Sequence, residues 1–346
     1  MNKKKLIIFF LIGVIAILAI FAGLFANKLV NKPIVDIGSK NSIVFYIPSG
    51  ADFSFVHDKL IDDKIISNAK SFDYMADIKS YNDNIKAGRY IIKNGMTAME
   101  LVNLLRSGAQ TPIRVTFNNI RFLPNFASKV SPKFEFDSIQ LMNLLTDEEY
   151  LKKIGYNKQT IISLFLPNTY EMWWNTDADK FIQRMKNEHD KFWNDERIAK
   201  ANKIGLSPLE VSILASIVQE ETNKRSEMSR IAGVYINRLN VGMLLQADPT
   251  ARFAYGDFSV KRVTYDYLKI DSPYNTYKYK GLPPGPICMA NPSTIDKVLD
   301  YESHKYYYFC AKADNSGTHA FARNLRQHNN NAKAYHRYLN KQRIYR

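Results

Sequence analysis

The sequence predicts an α+β protein with an N-terminal transmembrane helix, a small βααβ domain and a larger mixed α+β domain. Three observations lead to this prediction. An uncharged apolar run occupies residues 6–26. A strand–helix–helix–strand order follows between residues 42 and 110, and amphipathic helices alternate with polar, Gly/Pro-rich loops over the rest of the chain. The balance of 46% hydrophobic and 23% charged residues is ordinary for a globular protein.

Residues 6–26 are predicted to form a single transmembrane helix. The run contains no charged side chain, and its length matches the roughly 20 residues that span a bilayer. Three lysines at positions 3–5 precede it, which favours a cytoplasmic amino terminus. We therefore expect a single-pass inner-membrane protein with a cytoplasmic stub at 1–5 and a periplasmic or otherwise extracytoplasmic domain after Asn27. A cleavable signal peptide is the alternative, but its apolar region is usually only about 7–15 residues long.

The chain is strongly basic, with a formal net charge of +15. Basic chains often bind nucleic acid, but an exported domain meets little of it, so nucleic acid is not an expected partner. Anionic lipid headgroups and acidic wall polymers carry the complementary charge. No Asp or Glu follows Asp314, whereas basic residues recur at Arg323, Arg326, Lys333, Arg337, Lys341, Arg343 and Arg346. This pattern predicts a basic C-terminal helix, which is either solvated or a binding surface.

A polar tether is predicted over residues 27–41, and a small domain over 42–110. The hydrophobic periodicity and turn residues predict the elements of this domain as strand Ser42–Ile47, helices Phe53–Ile61 and Ser67–Ile78, strand Gly88–Ile92 and helix Thr97–Leu105. The order strand–helix–helix–strand resembles a LysM-type module, a small fold often found on peptidoglycan. The alternative is a structural βααβ unit that binds nothing by itself.

The larger domain is predicted in two parts. Residues 111–205 form a mixed connecting and helical segment, and residues 206–346 form the catalytic core with the basic C-terminal helix. Ser207 and Pro208 predict the start of a helix, because serine is a favoured N-cap and proline suits the first helical position. A second helix is predicted over Ser226–Leu239.

Glu221 is the most informative residue of this core. On a helix that turns about 100° per residue, Ile217 and Val218 belong to an apolar stripe, and Glu221 lies near its middle. Glu220 falls at the edge of the stripe, and Gln219 points away from it. A carboxyl group on a core-facing stripe is desolvated, which disfavours its anion and raises its pKa. A carboxyl group that is protonated near neutral pH is what a general acid requires.

Several classes of chemistry lack their sequence motifs. The chain has no G-x-G-x-x-G, no G-x-x-x-x-G-K-[ST], no H-E-x-x-H and no G-x-S-x-G motif. Its six histidines show no metal-ligand spacing, so neither a metal nor a cofactor is expected. Cys288 and Cys310 are the two cysteines. They form either a disulfide in an oxidising compartment or two unrelated buried thiols, and the sequence leaves both open.

Short motifs follow one another in order through the core: Ile217–Thr222, Ile236–Leu239, Leu245–Thr250, Tyr274–Tyr277, Gly281–Gly285 and His319–Phe321. This series resembles the endolytic murein transglycosylase family. The resemblance runs from the apolar N-terminal segment to about Leu339 and is strongest from Leu214 to His328. It implies a membrane-anchored protein with a LysM-like unit before its catalytic domain.

The resemblance implies a lytic transglycosylase, a lyase that cuts the β-1,4 bond between N-acetylmuramic acid and N-acetylglucosamine in nascent peptidoglycan strands. Such cleavage would end strand elongation. The catalytic glutamate of the family directly precedes a threonine and corresponds to Glu221, whereas Gln219 replaces a second glutamate that many members carry. A single acid suffices, because the C6 hydroxyl of the sugar can close a 1,6-anhydro ring where an ordinary glycosidase needs a second carboxylate.

The motifs supply further candidates for substrate binding, namely Asn237, Gln246, Asp248, Tyr274, Asn275, Tyr277, His319 and Phe321. The expected partners are peptidoglycan strands, the inner membrane and peptidoglycan synthases. Two other functions remain open. One is a non-catalytic peptidoglycan-binding scaffold for a wall synthase. The other is a hydrolytic muramidase, which requires Asp248 as a second carboxylate at about 5–9.5 Å from Glu221.

Overall fold

The computed structural model describes residues 11–17, 31–258, 265–314 and 316–342. These residues have a mixed α+β fold, as predicted, and form two compact units. The smaller unit contains the described residues up to Arg114 together with Lys133–Glu135 and Glu171–Thr176. The larger unit contains Val115–Pro132, Phe136–Tyr170 and the described residues from Asp177 onward.

Most of the transmembrane helix predicted over 6–26 lies outside the described residues. Residues 11–17 are helical and exposed. Among the described residues, no single helix is long and apolar enough to cross a membrane. Two consecutive helices, Asp195–Lys203 and Pro208–Glu221, are together long and apolar enough, but they are bent by 77° relative to each other.

The smaller unit has the predicted strand–helix–helix–strand order. Its elements are strand Ser42–Ile47, helices Phe53–Asp62 and Ala69–Ile78, strand Gly88–Lys93 and helix Ala98–Ser107. The two strands pair antiparallel, with Ser42 opposite Lys93 and Ile47 opposite Gly88. The last helix starts at a capping box in which Thr97 and Glu100 bond each other's backbone N–H groups.

Part of the tether predicted over 27–41 belongs to the core of this unit. Ile34 and Val35 are buried with only 1% and 3% of their surface exposed. Their backbone N–H groups both donate to the carbonyl oxygen of Met96, at 2.9 and 3.1 Å. A tether was predicted because most residues around these two are polar. The burial of their apolar side chains removes them from water and stabilises the unit.

The larger unit is mainly helical. Its helices are Leu123–Val130, Ser138–Thr146, Glu148–Lys153, Ala178–Phe192, Asp195–Lys203, Pro208–Glu221, Arg225–Asn240, Asp248–Tyr255, Tyr265–Lys269, Pro292–Leu299 and Leu325–Lys341, with short 3₁₀ turns at Ser131–Lys133 and Ile161–Leu164. Within this unit, Tyr308–Ala311 pairs antiparallel with His319–Ala322. Strands Ile113–Phe117 and Asn168–Met172, which pair with each other, have residues in both units.

Helix Pro208–Glu221, here called the glutamate helix, is central to this unit. Ser207 caps it, with its hydroxyl accepting from the N–H of Glu210, and Pro208 occupies the first helical position as predicted. Every residue from Val211 to Val218 is buried. The helix packs against Arg225–Asn240 and Pro292–Leu299.

Helix Arg225–Asn240, here called the tyrosine helix, lies against the segment that follows Tyr301. At Gly233, an added Cβ would lie only 2.4 Å from the carbonyl oxygen of Glu302. The close approach therefore requires glycine at this position. It brings Tyr308–Ala311 and His319–Ala322, here called the C-terminal hairpin, beside the end of the glutamate helix, where Tyr235 contacts Phe309 edge to face at 5.8 Å.

Candidate active site

Glu221 lies in a cavity of about 480 Å³ at the end of the glutamate helix. The cavity is lined by Glu221, Tyr235, Arg238, Leu245, Gln246, Asp248, Tyr277, Tyr308, Phe309, Cys310, Ala311, His319, Leu325 and His328. Burial raises the pKa of Glu221 to about 7, and the negative charge of Asp248 adds to the rise. Its carboxyl group therefore remains partly protonated at neutral pH, as a general acid requires.

Tyr235 is the hydrogen-bond partner of the Glu221 carboxyl group. Its hydroxyl donates to Oε1 at 2.5 Å, and the residue is 1% exposed. Burial raises the pKa of Tyr235 well above its ordinary value, so its hydroxyl keeps the proton that it donates. This bond stabilises the anion and opposes the effect of burial on Glu221. Oε2 of Glu221 makes no hydrogen bond to the described residues, so it can face a ligand.

Arg238 supplies a positive charge to the same cavity. Its Nε donates to the carbonyl oxygen of Tyr307 at 2.6 Å, and Nη1 donates to that of Leu245 at 2.6 Å. The residue is 6% exposed and has no carboxylate within ion-pair distance among the described residues. Its charge favours the ionised form of Glu221. The cavity can thus hold Glu221 both with and without its proton.

Glu220 lies outside the cavity lining. Its carboxylate accepts hydrogen bonds from Asn119 Nδ2 at 2.5 Å and from Arg121 Nη2, with which it forms an ion pair. The side chain of Glu220 is 15% exposed and that of Arg121 is 32% exposed. Glu220 therefore connects the end of the glutamate helix to the segment before helix Leu123–Val130.

Gln219 was predicted to point away from the apolar stripe and so to face outward, but its side of the helix is packed as well. Its Nε2 donates to the carbonyl oxygen of Met289 at 3.0 Å, and its Oε1 accepts from the N–H of Asn291 at 2.7 Å. The segment that precedes helix Pro292–Leu299 covers this side of the glutamate helix. Helical phase gives a direction relative to the stripe, but it does not show which later segment packs there.

The structure brings four of the predicted substrate-binding residues to the cavity: Gln246, Asp248, Tyr277 and His319. Asp248 accepts a hydrogen bond from the hydroxyl of Tyr277. Gln246 has a backbone φ of 48°, and its N–H donates to the carbonyl oxygen of Thr276 at 3.0 Å. This strained position joins the segment before helix Asp248–Tyr255 to the loop that carries Tyr277.

The other four predicted residues do not line the cavity. Asn237 donates to the carbonyl oxygens of His304 and Tyr306, and buried Asn275 donates to those of Leu268 and Ile270. Tyr274 packs on Phe253, with ring centroids 4.8 Å apart, and Phe321 lies 6.1 Å from Phe309. Their motifs hold loops and the hairpin in place, because a buried amide must bond the backbone groups around it.

Sequence reasoning missed Tyr235 and Arg238 in the cavity. Both belong to one stripe of the tyrosine helix with Met228 and Ile231, at spacings of three and four residues. This spacing predicts that they face the same side. The stripe was the available signal. Tyr308, Phe309 and His328 carried no comparable signal, because the hairpin and the following helix bring them from about 100 residues further along the chain.

The cysteines do not form a disulfide. Cys288 is buried and donates a weak hydrogen bond to the carbonyl oxygen of Ser216, whereas Cys310 is partly buried and lines the cavity. Burial raises the pKa of both thiols. Within the described residues, no group of three or more His, Cys, Asp or Glu side chains is arranged to hold a metal ion.

Comparison with known proteins places this geometry in a family. A family model described as YceG-like matches residues 45–334. The chain belongs to the YceG-like family. A crystal structure of a yceG-like protein from Listeria monocytogenes superimposes with a TM-score of 0.55 at 28% sequence identity, covering 84% of this chain and 99% of the other.

Two curated relatives carry the name endolytic murein transglycosylase. The protein from Bacillus subtilis is 29% identical over 323 residues, covering 87% of each chain. The protein from Streptococcus pneumoniae D39 is 26% identical over 86% of this chain, which spans 59% of that relative's length. These family matches confirm the resemblance seen in the sequence, and the prediction of a lyase agrees with the relatives' names.

Proposed function

We propose that this protein is a peptidoglycan lytic transglycosylase in which Glu221 is the catalytic acid. The observation that carries the proposal is a carboxyl group that lines a cavity, has one oxygen that accepts no hydrogen bond from the described residues, and has its pKa raised to about 7 by burial. The names of the YceG-like relatives supply the reaction class. The bond cleaved would be the β-1,4 bond between N-acetylmuramic acid and N-acetylglucosamine within a glycan strand.

The reaction would proceed with Glu221 acting twice. Its Oε2 donates a proton to the glycosidic oxygen as that bond to C1 breaks. The C6 hydroxyl of the N-acetylmuramic acid then attacks C1 of the same sugar. Its proton passes to the Glu221 carboxylate, which regenerates the acid. The product ends in 1,6-anhydro-N-acetylmuramic acid. Between the two steps, Tyr235 and Arg238 stabilise the anion of Glu221 through a hydrogen bond and a positive charge.

The relatives' name describes internal cleavage of the glycan, and such cleavage of nascent strands would end their elongation. We propose that residues 6–26 anchor the protein in the inner membrane, with its amino terminus in the cytoplasm and the catalytic unit outside. The βααβ unit would act as a LysM-like peptidoglycan module. A peptidoglycan synthase that makes the strand would be the natural protein partner, because substrate and product belong to the same polymer.

A hydrolytic muramidase is the second candidate, because one observation favours it. Asp248 lines the same cavity as Glu221, and its charge raises the pKa of Glu221. A second carboxylate at this place could activate water. Against this role, Asp248 already accepts a hydrogen bond from Tyr277.

The masses of the glycan products separate these functions. Purified full-length protein is incubated with peptidoglycan strands, and the released fragments are weighed. The lyase gives ends that are one water molecule lighter than hydrolysis products, and Asp248→Asn retains this chemistry. Ends without the mass deficit, together with loss of activity in Asp248→Asn, would establish the muramidase instead. Intact glycan retained on the wild-type protein would indicate a scaffold.

A further inference from the structure

A buried carboxylate near the cavity takes no part in the proposed reaction. Glu227 lies in the first turn of the tyrosine helix and is 7% exposed. A buried carboxylate destabilises the fold unless partners compensate for its lost hydration. Both hydrogen bonds that Glu227 accepts from the described residues come from His319. The backbone N–H of His319 donates to Oε1 at 2.9 Å, and its Nδ1 lies 3.0 Å from Oε2.

This contact determines which ring nitrogen of His319 carries the proton. An ionised carboxylate can only accept a hydrogen bond, so Nδ1 must be the donor. In the neutral imidazole, Nε2 is then an acceptor. Nε2 makes no hydrogen bond to the described residues, and the side chain of His319 is 15% exposed where it lines the cavity.

The ring of His319 is also held from its sides. Phe309 contacts it edge to face, with centroids 5.3 Å apart and an interplanar angle of 88°. Phe321, two residues further along the same strand and opposite Phe309 in the hairpin, has its centroid 6.5 Å from the ring. A polar ring fixed by one hydrogen bond and two aromatic neighbours, on a backbone that is itself bonded to Glu227, loses little further freedom when it binds a ligand.

We propose that Glu227 is a positioning residue that holds His319 with Nδ1 protonated, so that Nε2 accepts a hydrogen bond from a hydroxyl group of the glycan in the cavity. This inference rests on the proposed function for the identity of the ligand. It adds a second kind of substrate contact, since His319 accepts a hydrogen bond from the glycan whereas Glu221 donates a proton to it. The hydrogen bond that His319 makes to Glu227 is the arrangement by which proteins commonly fix an imidazole tautomer.

Variants of His319 and Glu227 test the contact by kinetics. His319→Asn places an amide N–H near the position of Nδ1 and keeps a bond to Glu227, but it removes Nε2. We expect its kcat/KM on peptide-free glycan strands to fall about tenfold, which corresponds to one lost hydrogen bond, while its Tm remains that of the wild type. Glu227→Gln should lower kcat/KM less, and Glu302→Gln, which alters a carboxylate paired with Arg230 on the surface, should leave it unchanged.

A measurement of the ring itself separates positioning from a purely structural role. In full-length protein with ¹⁵N-labelled histidine, His319 should show the Nδ1–H tautomer, and Glu227→Gln should mix the two tautomers. In the Glu221→Gln background, adding a GlcNAc–MurNAc oligosaccharide should shift the Nε2 resonance. Wild-type kcat/KM in a folded His319→Asn protein, or an Nε2–H tautomer in the wild type, would overturn the proposal.

The two proposals fail in different ways. If the wild-type protein releases no glycan fragments but the oligosaccharide still shifts Nε2, the proposed reaction is wrong and the His319 contact stands. If the protein cleaves glycan and the oligosaccharide leaves Nε2 unmoved, the reaction stands and the His319 contact is wrong.

Discussion

Glu220 and Glu221 are neighbours at the end of the glutamate helix, yet their surroundings differ in the charge of their partners. Glu220 accepts hydrogen bonds from Asn119 and the guanidinium of Arg121. Glu221 faces the cavity, where a neutral phenol, Tyr235, is its hydrogen-bond donor. A paired cation makes a carboxylate a structural anion, whereas burial beside a neutral donor leaves it able to release and recover a proton.

The largest expected effect is on catalysis, and it tests whether the two glutamates differ in role. Glu221→Gln keeps the shape of the side chain but removes the transferable proton, so the rate of glycan cleavage should fall by about 1000-fold. Glu220→Gln should retain most of the wild-type rate, because Glu220 does not line the cavity. The measurement is the initial rate of product release by each full-length variant. Equal losses in both variants would end the distinction drawn between them.

The helical stripe selected Glu221 from the sequence, because the direction of a side chain on a helix follows from its phase alone. The apolar residues around it set that phase. Tyr235 could have been found in the same way, since it continues the stripe of Met228 and Ile231 along the tyrosine helix. Local periodicity therefore predicts the site residues that lie on the glutamate helix and the tyrosine helix.

The remaining parts of the site depend on contacts that periodicity does not contain. Asn275 and Asn237 occur in motifs rich in polar residues, yet the structure uses both to bond backbone carbonyls. Their sequence context does not distinguish a loop-bonding amide from a ligand-bonding one. His319 and Glu227 are 92 positions apart in the sequence. Their contact depends on the packing of the C-terminal hairpin against the tyrosine helix, which local periodicity does not predict.

The second prediction uses the pH dependence of stability. Because the pKa of Glu221 is raised from 4.5 to about 7 in the folded protein, the folded state binds a proton more tightly than the unfolded state. The resulting stabilisation is fully present below about pH 4.5 and is lost as the pH rises through 7. The difference corresponds to about 3 kcal/mol. Glu221→Gln should therefore gain that free energy of unfolding relative to the wild type between pH 4.5 and pH 8.

Urea unfolding at a series of pH values measures this difference. The quantity to compare is how the difference in free energy of unfolding between variant and wild type changes with pH. The substitution also alters packing, but that contribution is the same at all pH values. An unchanged difference from pH 4.5 to pH 8 would show that Glu221 titrates near its ordinary value in the folded protein.

Tyr235→Phe should have a smaller effect, because it changes the pKa of Glu221 without substituting Glu221 itself. The lost hydroxyl stabilised the anion, so the pKa of Glu221 should rise further, and the pH at which activity falls on the alkaline side should move upward. A hydrogen bond to a charged group contributes about 1.5–3 kcal/mol. The measurement is kcat/KM against pH. The matched control is Tyr156→Phe, which removes a hydroxyl that contacts His189 Nδ1 at 3.5 Å and does not line the cavity. A downward shift would contradict donation from Tyr235 to the carboxylate.

The smallest effect belongs to Glu220→Gln and concerns stability. The amide oxygen still accepts one hydrogen bond, but the ion pair with Arg121 is lost. Because both side chains keep some exposure to water, we expect a loss of about 1 kcal/mol in the free energy of unfolding. The alkaline limb of kcat/KM should move only slightly, and downward, because the charge of Glu220 is the smallest of the contributions that raise the pKa of Glu221, and Tyr235 and Arg238 still surround the carboxyl group. If this limb shifted as far as it does in Tyr235→Phe, the two carboxyl groups would share one electrostatic environment, and the contrast between a structural and a catalytic glutamate would be lost.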